Sequence, residues 1–262
     1  MIKSSPMISK LFDLTGKSAL VTGGSRGLGK AMARAFAEAG ADVMICSRSE
    51  DELKEGAREI AAGLDRRVEW MAIDMTDRNQ VDKLAATTIA KFSAIDILVN
   101  NAGSNVPQSI DNITDAAWDM ILELNLTSAM RLTRAVVPGM KERRWGRIIH
   151  ISSVLGHGGK EGRNIYCATK SALIGFTRAS ALDLGPHNIT VNCISPGPFL
   201  TELPGRVLTA EQKRGFEERT ALGRWAAPEE IMGPALMLAS EAGSYITGSS
   251  LLIDGGVLAR AL

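Results

Sequence analysis

The stretch Ser18-Ala-Leu-Val-Thr22-Gly23-Gly24-Ser25-Arg26-Gly27-Leu28-Gly29 decides the fold of this chain. Its first five residues are a short apolar run that reads as a strand, and an alanine-rich helical pattern opens at the glycines and continues to about residue 39. Glycines let the backbone turn tightly and approach a pyrophosphate, whose charge then meets the helix N-terminus. Gly23, Gly27 and Gly29 are spaced G-x-x-x-G-x-G rather than the commoner G-x-G-x-x-G. A plain strand-to-helix corner also uses glycines; the strand–turn–helix context favours the pyrophosphate cradle.

Working outward, apolar runs at 42–46, 68–73, 95–99, 147–151, 190–194 and 250–253 are each separated by helical sequence. That alternation predicts an α/β fold: one doubly wound domain over residues 1–262, with a seven-stranded parallel sheet and helices on both faces. The longest helical stretches are about 115–142 and 164–184. Residues 1–13 read as a short N-terminal extension. Residues 198–226, charged and carrying Pro204 and Gly205, read as a flap over a site.

Composition narrows the function classes. Thirty basic against twenty-nine acidic residues give a net charge of +1, so nothing electrostatic points to nucleic acid or a membrane surface. Cys46, Cys167 and Cys193 match no metal-ligand spacing and read as reduced thiols, and no metal is expected. The first ten residues have no apolar core of a secretory signal, and no long apolar run reads as a membrane span. The expectation is a cytoplasmic protein.

Tyr166-Cys-Ala-Thr-Lys170 supplies the chemistry. A phenol titrates near ~10 and is a poor base at neutral pH. A lysine four residues along a helix lies on the same face, and its charge is expected to draw the phenol toward the working range. Ser153 adds a hydroxyl that can hold a substrate oxygen beside the phenol. His150 and His157 flank that serine and read as structural.

The residue after the second strand normally reads the adenosine ribose, and an acid there would favour NAD. This chain has Ser47 and Arg48, with Arg26 in the glycine turn nearby, while Asp42 lies at the other end of the strand. Two guanidiniums and a hydroxyl make a phosphate socket, which predicts NADP(H) over NAD(H). The alternative is that Arg48 is a solvated residue at a helix start.

Taken together these residues resemble the short-chain dehydrogenase/reductase family, over essentially the whole length. The resemblance implies a Rossmann-type domain whose cofactor meets Gly23, Ser25, Arg26, Gly27, Leu28 and Gly29. Asp74 and Met75 would lie at the adenine, and Asn101, Ala102 and Gly103 along the adenosine side. Pro196, Gly197, Phe199 and Thr201 would form the nicotinamide-side loop. Residues 245–248 and 253–256 are similar to the family's C-terminal signature. Its catalytic tetrad carries over as Asn125, Ser153, Tyr166 and Lys170. In that scheme Tyr166 exchanges the proton, Ser153 holds the substrate oxygen, and Lys170 binds the nicotinamide ribose. Asn125 holds a water in the proton path. Asn125 also falls on the helical stripe Trp118, Ile121, Ala129, Leu132, Val136, where an amide satisfying a helix kink is the other reading.

The resemblance therefore implies an oxidoreductase moving a hydride between nicotinamide and a carbonyl or secondary alcohol. A silent nucleotide-binding or scaffold protein of the same fold is the competing class. Arg144 and its surroundings resemble 3-oxoacyl-carrier-protein reductases, in which Arg144 would meet an acidic carrier. His187 stands where a second basic contact is expected, which weakens the carrier-protein reading. Residues 223–231 and 254–258 are similar to gluconate 5-dehydrogenase-like members, so sugar acids, polyols and 3-oxoacyl compounds are the candidate substrates. Ala168, Ala172 and Phe176 form an extra stripe on the later helix, and residues 255–262 could pack across a second axis, which predicts a D₂ homotetramer.

Overall fold

The computed structural model describes residues 7–201 and 209–259. Pro204 and Gly205 of the expected flap, the start of the N-terminal extension and the last three residues of the C-terminal segment lie outside them. The elements run α1 (Met7–Leu11), β1 (Ser18–Thr22), α2 (Gly27–Glu38), β2 (Asp42–Ser47), α3 (Glu50–Ala61), β3 (Val68–Ala72) and α4 (Arg78–Phe92). Then follow β4 (Ile97–Asn100), α5 (Asp115–Leu122), α6 (Ser128–Arg143), β5 (Gly146–Ile151), α7 (Asn164–Leu184), β6 (Ile189–Pro196), α8 (Ala210–Glu217), α9 (Met232–Ala239) and β7 (Ser250–Ile253).

The seven strands form one parallel sheet in the order β3-β2-β1-β4-β5-β6-β7. Successive side chains on a strand point to opposite faces. Ala19, Val21, Val43, Ile45, Ile97, Val99, Ile149 and Ile151 accordingly join one core with residues of α2, α3 and α9. Leu20, Met44, Cys46, Leu98, Ile148 and Val191 join a second core with residues of α4, α6 and α7. Both faces are covered, so β1, β4, β5 and β6 are buried along their whole length, and the polar residues they carry, such as Arg147, His150 and Asn192, are buried with them. The chain direction reverses its winding between β1 and β4. The carboxyl ends of those two strands open the crevice where doubly wound sheets take ligands.

The stretch expected as one helix over 115–142 is broken. A π-helical turn, Glu123–Thr127, separates α5 from α6. Its wider turn shifts the phase of the helix by about one residue. Ile121, Asn125, Ala129, Leu132 and Val136 remain buried, while Trp118 at the far end of the stripe is 38% exposed.

Arg147 opens the inner part of β5 with its side chain fully buried, which demands partners. It donates to the Ser240 carbonyl, pairs with Glu241 at 3.1 Å and stacks over Trp145.

Candidate active site

The glycine turn leaves β1 and enters α2 under tight restraint. Gly27 has φ +54°, in the left-handed region that disfavours side chains, and a carbon added at Gly29 would lie 2.2 Å from the Gly23 carbonyl oxygen. The turn is held from β4: Asn101 Nδ2 donates to the carbonyls of Thr22 (2.8 Å) and Gly23 (3.1 Å). The amides of Asn101 and Ala102 both donate to Thr22 Oγ1. Asn101 thus acts first on the protein, fixing the cradle. Thr201 passes against Gly27, so the chain after β6 borders the same turn. Pro196 closes β6, the Gly197 amide donates to the Ile253 carbonyl, and Phe199 is buried and bridges to Ala226. A cavity of about 350 Å³ lined by Gly27, Lys30, Leu200, Thr201 and Met232 borders the turn, but contains none of Asn125, Ser153, Tyr166 or Lys170.

The expected ribose-end residues differ in how free they are. Arg26 is paired with Glu52 at 3.1 Å, and Ser25 Oγ reaches the other oxygen of the same carboxylate at 3.4 Å. Glu52 sits in the first turn of α3, capped by Ser49, and sequence reading overlooked it. The signal was available: an acidic first turn, Glu50-Asp51-Glu52, separated from Arg48 only by the capping Ser49. Ser47 bonds the Ser49 carbonyl, and Arg48 is exposed with no hydrogen bond or ion pair among the described residues. Asp74 Oδ1 accepts from the Thr76 amide and hydroxyl, and Met75 is buried against Cys46.

The four chemical residues come from three elements. Ser153 follows β5 and its hydroxyl accepts from the Leu155 amide at 3.1 Å. Tyr166 and Lys170 lie one turn apart in α7, with Lys170 Nζ 5.4 Å from the centre of the Tyr166 ring. Asn125 sits in the π turn. Its Oδ1 accepts from the Ser104 amide at 2.9 Å, while Nδ2 donates to the Ser104 carbonyl and to Thr169 Oγ1. A carbon placed on Gly103 would lie 3.2 Å from Asn125 Oδ1 and 3.3 Å from Lys170 Nζ, so the end of β4, the π turn and α7 meet there.

The electrostatics correct one expectation. Lys170 was expected to draw the phenol down; instead withdrawal from water pushes the Tyr166 phenol up, only partly opposed by Ser153 and by the Arg163 guanidinium. Lys170 is only 4% exposed, donates to the Ile151 carbonyl at 2.7 Å, and is itself brought down to about 8 by burial. Arg163, which sequence reading passed over, is the cation that acts on the phenol. Its signal was its place three residues before Tyr166, at the N-cap of α7. His150 is buried against Phe176 with Nδ1 facing Asn100 Nδ2, and burial holds it neutral, near about 3. His157 bonds the hydroxyls of Ser195 and Ser250.

Sheet order, cradle and tyrosine–lysine pair define a nucleotide-dependent oxidoreductase, and comparison with known proteins identifies the family. A family model described as enoyl-(acyl carrier protein) reductase matches residues 23–258. The chain is 37% identical over 244 residues to a 3-oxoacyl-[acyl-carrier-protein] reductase of Aquifex aeolicus, covering 93% of this chain and 98% of that protein. A candidate gluconate dehydrogenase from Agrobacterium tumefaciens superimposes with a TM-score of 0.90 at 32% identity, over 95% of this chain and 99% of that one. A candidate NAD(P)-dependent gluconate 5-dehydrogenase from Beutenbergia cavernae, with NADP at low occupancy, gives 0.86 at 36% identity, over 95% and 100%. The chain belongs to the short-chain dehydrogenase/reductase family. It is an oxidoreductase acting on CH–OH or C=O groups, and nothing in these likenesses supports a silent scaffold.

Proposed function

We propose that Ser153, Tyr166 and Lys170, steadied by Asn125, carry out NADP(H)-dependent interconversion of a ketone and a secondary alcohol on a small sugar-acid, polyol-like or 3-oxoacyl substrate. One observation carries this reading: Tyr166 and Lys170 share one helix face beside Ser153, with Lys170 against Gly103, two residues beyond the Asn101 that holds the glycine turn. Bound NADP(H) supplies or accepts the hydride. Its residues would be Gly23, Ser25, Gly27, Leu28 and Gly29 at the pyrophosphate, and Asp74, Met75, Asn101, Ala102 and Gly103 along the adenosine side. Tyr166, Lys170, Pro196, Gly197, Phe199 and Thr201 would lie at the nicotinamide end.

The protein's own part is positional and protic. Tyr166, kept protonated by its surroundings at neutral pH, gives its proton to the carbonyl oxygen during reduction. Ser153 donates to that oxygen as negative charge develops. Lys170, titrating near about 8, returns a proton to the phenolate. Asn125 clamps the Ser104 backbone and so holds the site's floor.

The preference for NADP(H) is supported by the absence of an acid at the end of β2, the unpaired Arg48 and the NADP-holding relative. Glu52 opposes it by sharing Arg26. Homotetramer formation is supported by α7, where Ala168 is exposed and Ala172 and Phe176 are half-buried, leaving an uncovered face. Cytoplasmic residence is supported by three unbridged cysteines, and the single-domain reading by two cores built on the two faces of one sheet. Arg144 donates to the Pro186 carbonyl and its own carbonyl receives Asn188 Nδ2, so it is engaged within the chain rather than offered to a carrier protein.

Loss of NADPH absorbance with a panel of sugar acids, polyols and 3-oxoacyl thioesters tests the proposal. Turnover on one class is expected, and tight NADPH binding without turnover of any ketone, activated ones included, overturns it.

A further inference from the structure

The loop between β3 and α4 is fastened to the turn that carries Asn125. That loop is first tied to itself. The Asp74 amide donates to Gln80 Oε1 at 2.9 Å, and Gln80 Nε2 donates to Asp77 Oδ2 at 2.9 Å. Asp77 Oδ1 caps α4 by accepting from the Asn79 and Gln80 amides. Arg78 is the first residue of α4 and reaches outward from this cluster. Its Nε lies 3.0 and 3.1 Å from the two carboxylate oxygens of Glu123, and its Nη2 donates to Oε2 at 2.7 Å.

Glu123 opens the π turn. Its carbonyl accepts from the Ser128 amide, which closes the turn, while its side chain, only 18% exposed, is held by Arg78. Ser128 Oγ donates to the Leu124 carbonyl at 2.6 Å. Asn125 lies inside this loop of backbone, and the hydrogen bonds continue from it. Its Nδ2 donates to Thr169 Oγ1 at 3.1 Å, and Thr169 Oγ1 donates to the Tyr166 carbonyl at 2.9 Å. A π turn replaces the regular helical ladder with i→i+5 bonds. The arginine fork fixes angle as well as distance, so it gives that turn a hold from a second helix. Arg131 pairs with Asp82 and also joins α6 to α4, but it lies beyond the π turn.

We infer that Arg78 is a positioning residue for the reaction: through Glu123 it sets the π turn, and the turn sets Asn125 against Ser104 and against the Thr169–Tyr166 turn of α7. The inference rests on the oxidoreductase reading above. The Arg78 side chain is 60% exposed, and a pair so open to water adds little to folding. Its part is to select one geometry for Asn125, and its replacement leaves the fold standing.

The test uses the full chain and compares Arg78→Gln, Glu123→Ala and Arg131→Gln with the wild type. Hydrogen exchange at the Ser104 amide, measured without cofactor or substrate, reads the clamp directly, because Asn125 Oδ1 is the acceptor of that amide. Arg78→Gln and Glu123→Ala should each speed it by about tenfold. Arg131→Gln, which breaks a pair outside the π turn, should change it by less than about twofold. With NADPH and trifluoroacetophenone, Arg78→Gln should lower kcat by roughly tenfold and move KM by less than about twofold. Combined with Asn125→Ala it should lower kcat no further, because the two residues act in series. Ser104 exchange unaltered by Arg78→Gln, an equal acceleration by Arg131→Gln, an unchanged kcat, or losses that multiply in the double variant each overturn the inference. A chain that reduces no ketone while Ser104 exchange responds as expected counts against the oxidoreductase reading alone, so the two failures are distinguishable.

Discussion

Lys170 Nζ donates to the Ile151 carbonyl at 2.7 Å and lies over the face of the Tyr166 ring, 5.4 Å from its centre. The ammonium is therefore turned toward the sheet edge rather than held at the phenol oxygen. Burial weakens it as a cation and burial also keeps Tyr166 protonated. The pair stands ready as an acid and its proton source.

A pH-dependent stability difference follows. Lys170 titrates near about 8 in the folded chain against 10.5 when free. Below about 8 it is charged in both states and the cost of burying it is felt in full. Between the two values only the unfolded chain binds the proton, so stability rises with pH through that window. Relative to Lys170→Met, the cofactor-free wild type should gain about 3 kcal/mol across it, at 1.36 kcal/mol per pKa unit. Denaturant unfolding of both proteins at pH 7 and pH 10 measures the gap; a constant gap would show that the lysine is not titrating there.

Tyr166→Phe removes the transferable proton and keeps the ring. Turnover should fall by at least ~10²-fold, the scale of general acid–base assistance, with NADPH affinity retained. Near wild-type turnover on any accepted ketone would remove Tyr166 from the mechanism.

Cofactor preference divides between Arg48 and Glu52. Arg48→Ala should weaken NADPH roughly ten- to hundred-fold and leave NADH nearly unchanged, since a charge-assisted phosphate contact contributes about 1.5–3 kcal/mol. Glu52→Gln releases Arg26 and should tighten NADPH relative to NADH. Fluorescence titration of both cofactors checks this, and a Glu52→Gln protein with an unaltered ratio would mean Arg26 takes no part.

Asn125→Ala leaves the Ser104 amide and carbonyl, in a partly buried contact, and the buried Thr169 hydroxyl without this partner. About 1–3 kcal/mol of stability should be lost, together with turnover. Retained stability with lost turnover would assign Asn125 a purely chemical part.

Light scattering should return a mass near four times the 28.0 kDa chain. A mass near one chain would mean that the Ala168, Ala172 and Phe176 face stays in water.

Much was legible in the sequence because it is local. A strand, a glycine turn and a helix within a dozen residues specify a cradle wherever they occur, and Tyr166 and Lys170 share a helix face by period alone. The apolar runs of β1, β4, β5 and β6 announced strands buried on both sides. What tertiary structure alone decided depends on residues distant in the chain. The π turn sets the Asn125 amide on the Ser104 backbone, which the chain leaving β4 delivers. Glu52 reaches Arg26 only because α3 packs beside the turn, where Gly56 lies against Ser25. The rise of the Tyr166 phenol comes from desolvation, a property of everything around the ring. Lys160 lies over the ring of Phe216 only because α8 comes back beside the loop before α7, a contact that depends on distance in space and takes no account of distance along the chain.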